Sequence, residues 1–246
     1  MNDIAAVASL ADFETIIEAR RSVRVFDTDH QMSEEIVENA LKAALRSPNS
    51  SNMQMWEFVR VRSDEMRAAM APICLNQSAA KTASEFVVVV GRANVYKERA
   101  AFNFNQLKAE YGEDSEAFQK VKDYYGKLMP MVYRNDYFGI IGGLRKLMGA
   151  AVGLFKPMVR EMGKSDTYAT IHGSNSLASM TFMYAMKAQG YDTCPLGGFD
   201  SKRLKKLLKL KGSDEVTMVI ACGKGKPEGI WGKRHRLPYE EVVRKV

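Results

Sequence analysis

The sequence predicts a single domain that combines helices with one sheet, in either an α+β or an α/β arrangement. Three segments of strand length are rich in branched or aromatic residues, at Trp56–Val61, 85–91 and 216–222. Long helical stretches separate the second segment from the third, and no internal repeat or Pro-rich or Gly/Ser-rich linker divides the chain. A chain of 246 residues is long enough to bury one core without disulfide bonds.

Two helices are predicted before the first strand. The first covers residues 12–20, with Asp12 as its N-cap and apolar residues at helical spacing. A short extended segment follows at 23–26. The second helix opens at Ser33, has acidic residues in its first turn, and stops before Pro48.

Two more helical regions precede the third strand. Residues 167–190 leave few polar positions for solvent, which predicts a central, buried helix. Residues 94–165 are rich in aromatic residues and methionines, which is typical of helices that cover something apolar. We therefore expect one domain over residues 1–246, with a variable helical excursion at about 94–165.

Composition and charge narrow the class of protein. Apolar residues make up 46% of the chain and charged residues 26%, which argues against a disordered protein. Three cysteines at irregular spacing do not suggest a disulfide framework, no basic and then apolar leader opens the chain, and no apolar run is long enough to cross a bilayer. We expect a cytoplasmic protein.

A basic cluster lies between the first helix and the extended segment. Arg20, Arg21, Ser22 and Arg24 can surround a phosphate with bidentate, charge-assisted hydrogen bonds. A solvated basic turn has the same composition and is the alternative. Residues 233–236 form a second basic group, either a tail or a second arm around the same anion.

Three polar or flexible segments carry further candidate ligand-binding groups. The loop 47–56 concentrates hydroxyl and amide side chains, which suit the hydroxyls and carbonyls of a polar heterocycle. Two amides at 76–77 repeat that chemistry on the next loop. Residues 194–200 predict a turn whose adjacent glycines permit close approach to a planar ligand, before a basic helix capped by Ser201.

The sequence contains no motif that supplies chemistry from side chains alone. It has no G-x-S-x-G elbow, HExxH motif, Walker A loop or G-x-G-x-x-G fingerprint, and its three histidines are too scattered for a metal site. His172 is interpreted as a hydrogen-bonded core residue, with a catalytic base as the alternative. An enzyme with this sequence would therefore take its chemistry from a cofactor.

Together and in this order, the clusters resemble the nitroreductase family of FMN-dependent NAD(P)H oxidoreductases. The resemblance rests on residues 20–26, 47–56, 195–200 and 234–238, and it covers both flanks of the chain, roughly 13–92 and 166–246. Met55 and Ala79 depart from the proline and the lysine that many members have, with Lys81 as a nearby substitute for that lysine.

The resemblance implies an α+β fold with a central, mainly antiparallel sheet flanked by helices, in an intertwined homodimer with FMN at the interface. It implies that the phosphate and ribityl chain are held by Arg20, Arg21, Ser22, Arg24, Arg234 and Arg236. It implies that the flavin is approached or supported from the second subunit by Pro48, Ser50, Asn52 and Gln54. It also implies that Asn76 reaches the polar edge of the ring and that N5 lies beside Pro195, Leu196, Gly197 and Gly198.

The implied function is hydride transfer from NADH or NADPH through flavin N5 to nitroaromatics, quinones or similar electrophiles, in a ping-pong cycle without a catalytic side chain. Specialisation for enones or free flavin, or a non-enzymatic flavin-binding or storage role, are the alternatives. The net charge of +7 also allows a nucleic-acid or anionic-membrane binder through the basic helix near 202–211, but a solvated amphipathic helix is preferred. We expect no nucleic acid, membrane or metal partner.

Overall fold

The computed structural model describes residues 9–246. Its α-helices are α1 (Leu10–Ala19), α2 (Glu34–Ala44), α3 (Asp64–Ile73), α4 (Ser78–Thr82), α5 (Tyr96–Tyr111), α6 (Glu116–Asp123), α7 (Met129–Tyr133), α8 (Ile140–Val152), α9 (Lys164–Ala188), α10 (Ser201–Leu207) and α11 (Tyr239–Val242). Its strands are β1 (Trp56–Val61), β2 (Glu85–Arg92), β3 (Asp192–Leu196) and β4 (Asp214–Gly223).

The strands form one sheet in the order β1-β2-β4-β3, and every neighbouring pair is antiparallel. Helices cover both faces of β2: Phe86 and Val88 belong to one core cluster with Leu204 of α10, and Val87 and Val89 belong to another with residues of α2 and α9. Burial on both faces explains why β2 is an unbroken apolar run. The predicted α+β fold with a central antiparallel sheet is confirmed.

The predicted helices are present, with different starting points. Helix α1 begins before Asp12, because Ser9 is the N-cap and Asp12 completes a capping box as the third helical residue. Helix α2 has the predicted Ser33 cap. Helix α9 packs its buried face against α2 and β2, but Leu177 on its outer face is 52% exposed, so the prediction of few solvent-facing positions holds for one side only.

The predicted turn at 194–200 is partly wrong, because Cys194, Pro195 and Leu196 lie in β3. This strand is at the edge of the sheet, and among the strands of residues 9–246 its one neighbour is β4. An edge strand accommodates proline because one of its sides needs no hydrogen-bond donors. The following helix α10 is capped by Asp200 rather than Ser201, since the Asp200 carboxylate accepts the Arg203 N–H at 3.0 Å.

The excursion between β2 and α9 is helical, as predicted, and is built from α5 to α8. The buried guanidinium of Arg145 holds its second half together. It donates to the carbonyl oxygen of Met131 at 2.6 Å and of Met162 at 3.1 Å, and to Asn135 Oδ1 at 3.0 Å. These contacts join α7, α8 and the segment that leads into α9.

Across residues 9–246, no helix combines the length and apolarity needed to cross a bilayer. The same residues hold no cluster of His, Cys, Asp and Glu suited to a metal ion.

Candidate functional site

The two basic segments meet in a surface pocket of about 170 Å³. The pocket is lined by Arg20, Arg21, Ser22, Arg24, Trp231, Lys233, Arg234, His235 and Arg236. Within the described part of the chain, Glu18 is the one carboxylate that forms an ion pair with any of these cations. The pocket therefore carries a large excess of positive charge.

Backbone hydrogen bonds place the first basic segment against the edge of the sheet. Helix α1 ends at Ala19, and Ser22 forms an isolated bridge with Thr193 of β3, with the Val23 N–H 3.1 Å from the Thr193 carbonyl oxygen. The Arg24 guanidinium lies 4.6 Å from the centre of the Trp231 ring, a cation–π contact that fixes its direction.

Arg234 anchors the C-terminal tail to α1. Its Nη2 donates to the carbonyl oxygens of Ile17, Glu18 and Arg20 at 3.1, 3.0 and 2.9 Å, and its Nη1 lies 3.1 Å from Glu18 Oε1. These carbonyls lack partners inside the helix because they lie at its C-terminal end. Arg234 therefore fixes the position of the tail, and most of its donors are already engaged.

Arg20 differs from Arg234, because its guanidinium makes no side-chain hydrogen bond within residues 9–246. Burial and then the positive charge of Arg234 lower the pKa of Arg20, with smaller contributions from Arg236 and Arg21. A partly buried guanidinium among like charges is stabilised by an anion. Arg20 is thus the side chain of the pocket with the clearest need for an anionic partner.

The polar loop 47–56 adopts an uncommon backbone. Ser51, Asn52 and Gln54 have φ values of 52°, 48° and 46°, in the left-handed region that non-glycine residues rarely occupy. The Gln54 N–H donates to Asn49 Oδ1 at 2.8 Å, which closes the turn from within the loop. Such a backbone persists only where surrounding contacts enforce it.

Those contacts come from the helical excursion. Asn103 of α5, 4% exposed, pairs reciprocally with Asn52: Asn52 Nδ2 donates to Asn103 Oδ1 at 3.0 Å, and Asn103 Nδ2 donates to the Asn52 carbonyl at 2.8 Å. The Tyr125 hydroxyl donates to the Ser51 carbonyl at 3.0 Å. The sequence shows only that the excursion is rich in aromatic residues and methionines. It does not reveal that the excursion supports the loop.

Tyr133 adds a third support from the excursion. Its hydroxyl donates to Ser50 Oγ at 3.1 Å. Burial raises the pKa of Tyr133, which keeps the phenol protonated and able to donate. Pro48 precedes this supported segment, between the end of α2 and Ser50.

A third group of predicted residues lies where β3 ends. Gln77 Nε2 donates to the Gly198 carbonyl at 2.8 Å, which brings the 75–77 loop beside the glycine pair. The added Cβ of an alanine at Gly197 would meet open space. Asn76 is exposed, with a left-handed φ of 53°. These groups leave room for a flat ligand next to the backbone.

The departure from the family pattern at residue 79 lies on α4. Ala79 is buried in the core below the sheet, where a lysine side chain would not fit. Lys81 is exposed and lies two residues further along the same helix, so it points to a different side. Lys81 therefore does not replace the lysine that many family members have at the position of Ala79.

The structure brings two of the three groups together along β3. Ser22 bridges to Thr193 near the start of the strand, and Gly197 follows its last residue, so the arginine pocket and the glycine pair are roughly 13 Å apart at the strand's rise per residue. The loop 47–56 lies apart. Within residues 9–246 its side chains and backbone form hydrogen bonds with side chains of α9 and the excursion, and none of these bonds reaches the other two groups.

Two other features lie outside these groups. A cavity of about 610 Å³ lies between the excursion and the start of β4, and its aromatic lining includes Tyr96, Tyr133 and Tyr168. His172 bonds through Nδ1 to Thr217 Oγ1 at 2.8 Å and through Nε2 to Glu215 Oε2 at 3.1 Å. The predicted hydrogen bonds of His172 are present, but its side chain is 32% exposed, so the interpretation as a core residue is wrong in its burial.

The chain matches known proteins over most of its length. The model of the family described as "Nitroreductase family" matches residues 17–224. "Putative NAD(P)H nitroreductase YodC" of Bacillus subtilis is 27% identical over 228 residues, which cover 92% of this chain and 95% of that protein.

Two solved structures share the fold. One is of ydfN from Bacillus subtilis, with a TM-score of 0.77, 22% identity, and coverage of 97% of this chain and 100% of that chain. The other is of an Exiguobacterium sibiricum protein in complex with FMN, with a TM-score of 0.70, 23% identity, and coverage of 98% and 100%. Both proteins are described as a "putative nitroreductase".

The structure thus has an antiparallel sheet enclosed by helices and a basic pocket at one end of its edge strand, and the family model matches most of the chain. The chain belongs to the nitroreductase family. The resemblance inferred from the four sequence segments is confirmed.

Proposed function

We propose that this chain transfers hydride from NADH or NADPH through bound FMN to small electron-poor acceptors such as nitroaromatics and quinones. The broader assignment follows from the family: the chain is an NAD(P)H-dependent oxidoreductase, and its cofactor is FMN. The observation that supports the site proposed for FMN is the arginine pocket at one end of β3 with the glycine pair at the other.

The residues of the pocket fit a phosphate group. Arg20 has uncommitted donors and Ser22 supplies a hydroxyl, while Arg24 is held in place by Trp231. Burial and the neighbouring positive charge lower the Arg20 pKa, and a phosphate dianion would offset that charge. In this proposal Arg234 acts by fixing the tail against α1, and Arg236 and Arg21 add positive charge around the anion.

The residues after β3 fit the ring of the cofactor. The open space beside Gly197 admits a planar group against the backbone, and the Asn76 amide offers both a donor and an acceptor for the polar edge of the ring. Pro195 and Leu196 at the end of the strand hold this backbone in place. When bound, FMN would supply the N5 atom for accepting hydride from NAD(P)H and for donating it to the acceptor once NAD(P)⁺ has left.

We further propose an intertwined homodimer in which the loop 47–56 of one subunit approaches the flavin held by the other. Its separation from the other two groups within one chain supports this arrangement. Exposed apolar residues support it too: Leu177 on α9, Phe13 on α1, and Leu237 and Tyr239 in the tail are left without cover in one chain. In this dimer Ser50 and Asn52 would contact the flavin, and Pro48 and Gln54 would shape the loop.

Mixed dimers test the two-subunit site. Arg20→Glu damages the phosphate pocket and Ser50→Trp damages the loop, so a dimer of the two variants would contain one site with both faults and one intact site. We expect differently tagged, co-purified mixed dimers to bind FMN and turn over at one of two sites, while each homodimer of variants is inactive. Inactive mixed dimers would show that each site is built within one chain.

The chain is proposed to form one domain over residues 1–246, since β1 and β2 from its first half and β3 and β4 from its second share one sheet. A cytoplasmic location is proposed because Cys74, Cys194 and Cys222 are all free thiols.

Steady-state kinetics test the acceptor class. Initial rates over a matrix of NADPH and nitroaromatic or quinone concentrations should give parallel double-reciprocal lines, as expected when the two substrates use one site in turn. The same assay includes an enone and free FMN. Turnover of only those two would replace the proposed acceptors, and a flavin-loaded protein that turns over none would point to flavin storage.

A further inference from the structure

Helix α8 turns its small residues and one arginine toward the protein and its large apolar residues toward solvent. Its buried positions are Gly142, Arg145 and Gly149, while Leu144 and Leu147 on the opposite side are 63% and 69% exposed. A surface helix of a water-soluble domain normally turns its apolar stripe inward and its charged residues outward. The inversion leaves an apolar ridge on the surface, in the order i, i+4, i+7, from Ile140 to Leu147.

The ridge continues on both sides of the helix. Phe138 before α8 is 83% exposed, and Leu154 and Phe155 after it are 79% and 89% exposed. Val159 further along is exposed as well. We call residues 137–160 the apolar segment. Single exposed apolar residues are common, but a continuous set of this kind marks a surface that another phase or molecule covers.

The charges of the apolar segment are of one sign. It contains no Asp or Glu, and it carries Arg145, Lys146, Lys156 and Arg160. Arg145 is engaged with carbonyls inside the fold and Lys146 pairs with Asp166 at 2.8 Å. Lys156 and Arg160 form no ion pair within residues 9–246 and are exposed. The segment thus combines large apolar side chains with an excess of positive charge, which Asp136 and Glu161 at its two ends offset only in part.

Hydrogen bonds and close packing on the inner side of α8 fix the position of the apolar segment. Arg145 ties α8 to the carbonyls of Met131 and Met162, and Gly142 packs closely on the backbone of Gly163, where an added Cβ would lie 3.1 Å from the Gly163 Cα. The small residues and the arginine therefore fix the inner side of α8 and leave the leucines facing out. This arrangement orders the apolar side chains before any partner binds.

We propose that the apolar segment docks the protein on the surface of an anionic lipid bilayer. Helices that lie in a membrane interface insert an apolar face and surround it with Lys and Arg, which attract acidic headgroups. Phe138 and Phe155 would enter the acyl boundary on either side of α8, with Lys156 and Arg160 at the headgroups. A second copy of the chain fits less well, because two such surfaces would bring Lys156 and Arg160 together with more positive than negative charge around them.

This differs from the expectation of no membrane partner, which considered the basic helix α10. In α10 the apolar Leu204 is fully buried and the lysines face solvent, so that helix has no apolar side to insert. The docking surface is therefore not the most basic helix of the chain. It is the helix whose apolar side is exposed.

Vesicle co-sedimentation tests the proposal on the FMN-loaded protein. The probes are vesicles of phosphatidylcholine alone and vesicles with phosphatidylglycerol added. We expect the protein to bind the anionic vesicles, and to bind neutral vesicles and anionic vesicles at high salt much more weakly. Leu147→Glu combined with Phe155→Glu should lower the partition coefficient at least tenfold. Phe102→Glu, which places the same charge at an exposed phenylalanine of α5, should leave it unchanged.

Flavin absorbance and circular dichroism of each variant establish that it is folded. Equal sedimentation of the double variant and the wild type would overturn the proposal, as would the absence of binding to anionic vesicles. Wild-type protein that forms a larger oligomer, which the double variant dissociates without any vesicle binding, would assign the surface to a second copy instead.

Discussion

The hydrogen-bond pair between Asn52 and Asn103 gives a sharp prediction about cofactor binding. Asn103→Ala removes both hydrogen bonds, at 3.0 and 2.8 Å, that hold Asn52 in its left-handed conformation. Asn103 lies on α5 and is not among the proposed flavin contacts. The substitution therefore changes how the loop is held without removing any group that touches the cofactor.

The size of the effect follows from the two bonds. Each is worth about 1 kcal/mol net, so the loop loses about 2 kcal/mol of support. A left-handed non-glycine residue costs about 1 kcal/mol or more, which favours relaxation of Asn52 once the support is gone. If that energy holds the loop ready for FMN, the dissociation constant of FMN rises about 30-fold.

Fluorescence titration of apoprotein with FMN measures that constant. Asn105→Ala is the matched control, because Asn105 is exposed, lies on the same helix, and makes no side-chain hydrogen bond within residues 9–246. At saturating FMN, the kcat of Asn103→Ala should stay near that of the wild type, since the loop is restored by binding. FMN affinity within twofold of the Asn105→Ala control would refute the idea that the excursion prepares the loop.

Three further predictions concern the pocket, the excursion and the thiols. Arg20→Glu should weaken FMN binding about 100-fold through lost charge-assisted bonds and repulsion, with an unchanged circular dichroism spectrum; Arg244→Glu, at an exposed site in the tail, is the control for net charge. Arg145→Leu should remove about 3 kcal/mol of local stability by leaving carbonyls unpaired, which hydrogen exchange would detect as roughly 100-fold lower protection in residues 134–163 but not in the sheet. Burial raises the Cys74 pKa to about 11 from an ordinary 9.0. The protonated thiol is favoured in the folded state, so its stabilising contribution is complete below pH 9 and is lost as pH rises toward 11; Cys74→Ser should flatten the fall in the free energy of unfolding over that range, and an unchanged slope would contradict the assignment.

The elements that the sequence predicts well are those whose signals are local. Helix α2 has its cap at Ser33 and an uninterrupted apolar face, and β1 and β2 are rich in branched or aromatic residues and have clear ends. Strand β3 is missed because Pro195 and the following glycines have the composition of a turn. Its pairing with β4 depends on residues more than twenty positions later in the chain.

In the candidate site, too, the features with a local sequence signal could be predicted and those that depend on distant residues could not. The meeting of the two basic segments in one pocket could be predicted, because arginines concentrated in two short segments suggest two arms around one anion. The left-handed backbone at Ser51 could not be predicted, because serine does not prefer it and the hydrogen bond to its carbonyl comes from the distant Tyr125. The engagement of Arg234 with α1 was equally invisible, since composition does not distinguish a guanidinium that binds a ligand from one that caps a helix.

The central claim is that this chain holds FMN and that a pyridine nucleotide reduces it. The most direct test is the visible absorption spectrum of the purified, untagged protein under anaerobic conditions, before and after addition of NADH or NADPH. We predict a flavin band that one or both nucleotides bleach. A band that persists with both nucleotides, or a colourless protein that takes up no added FMN, would contradict the claim.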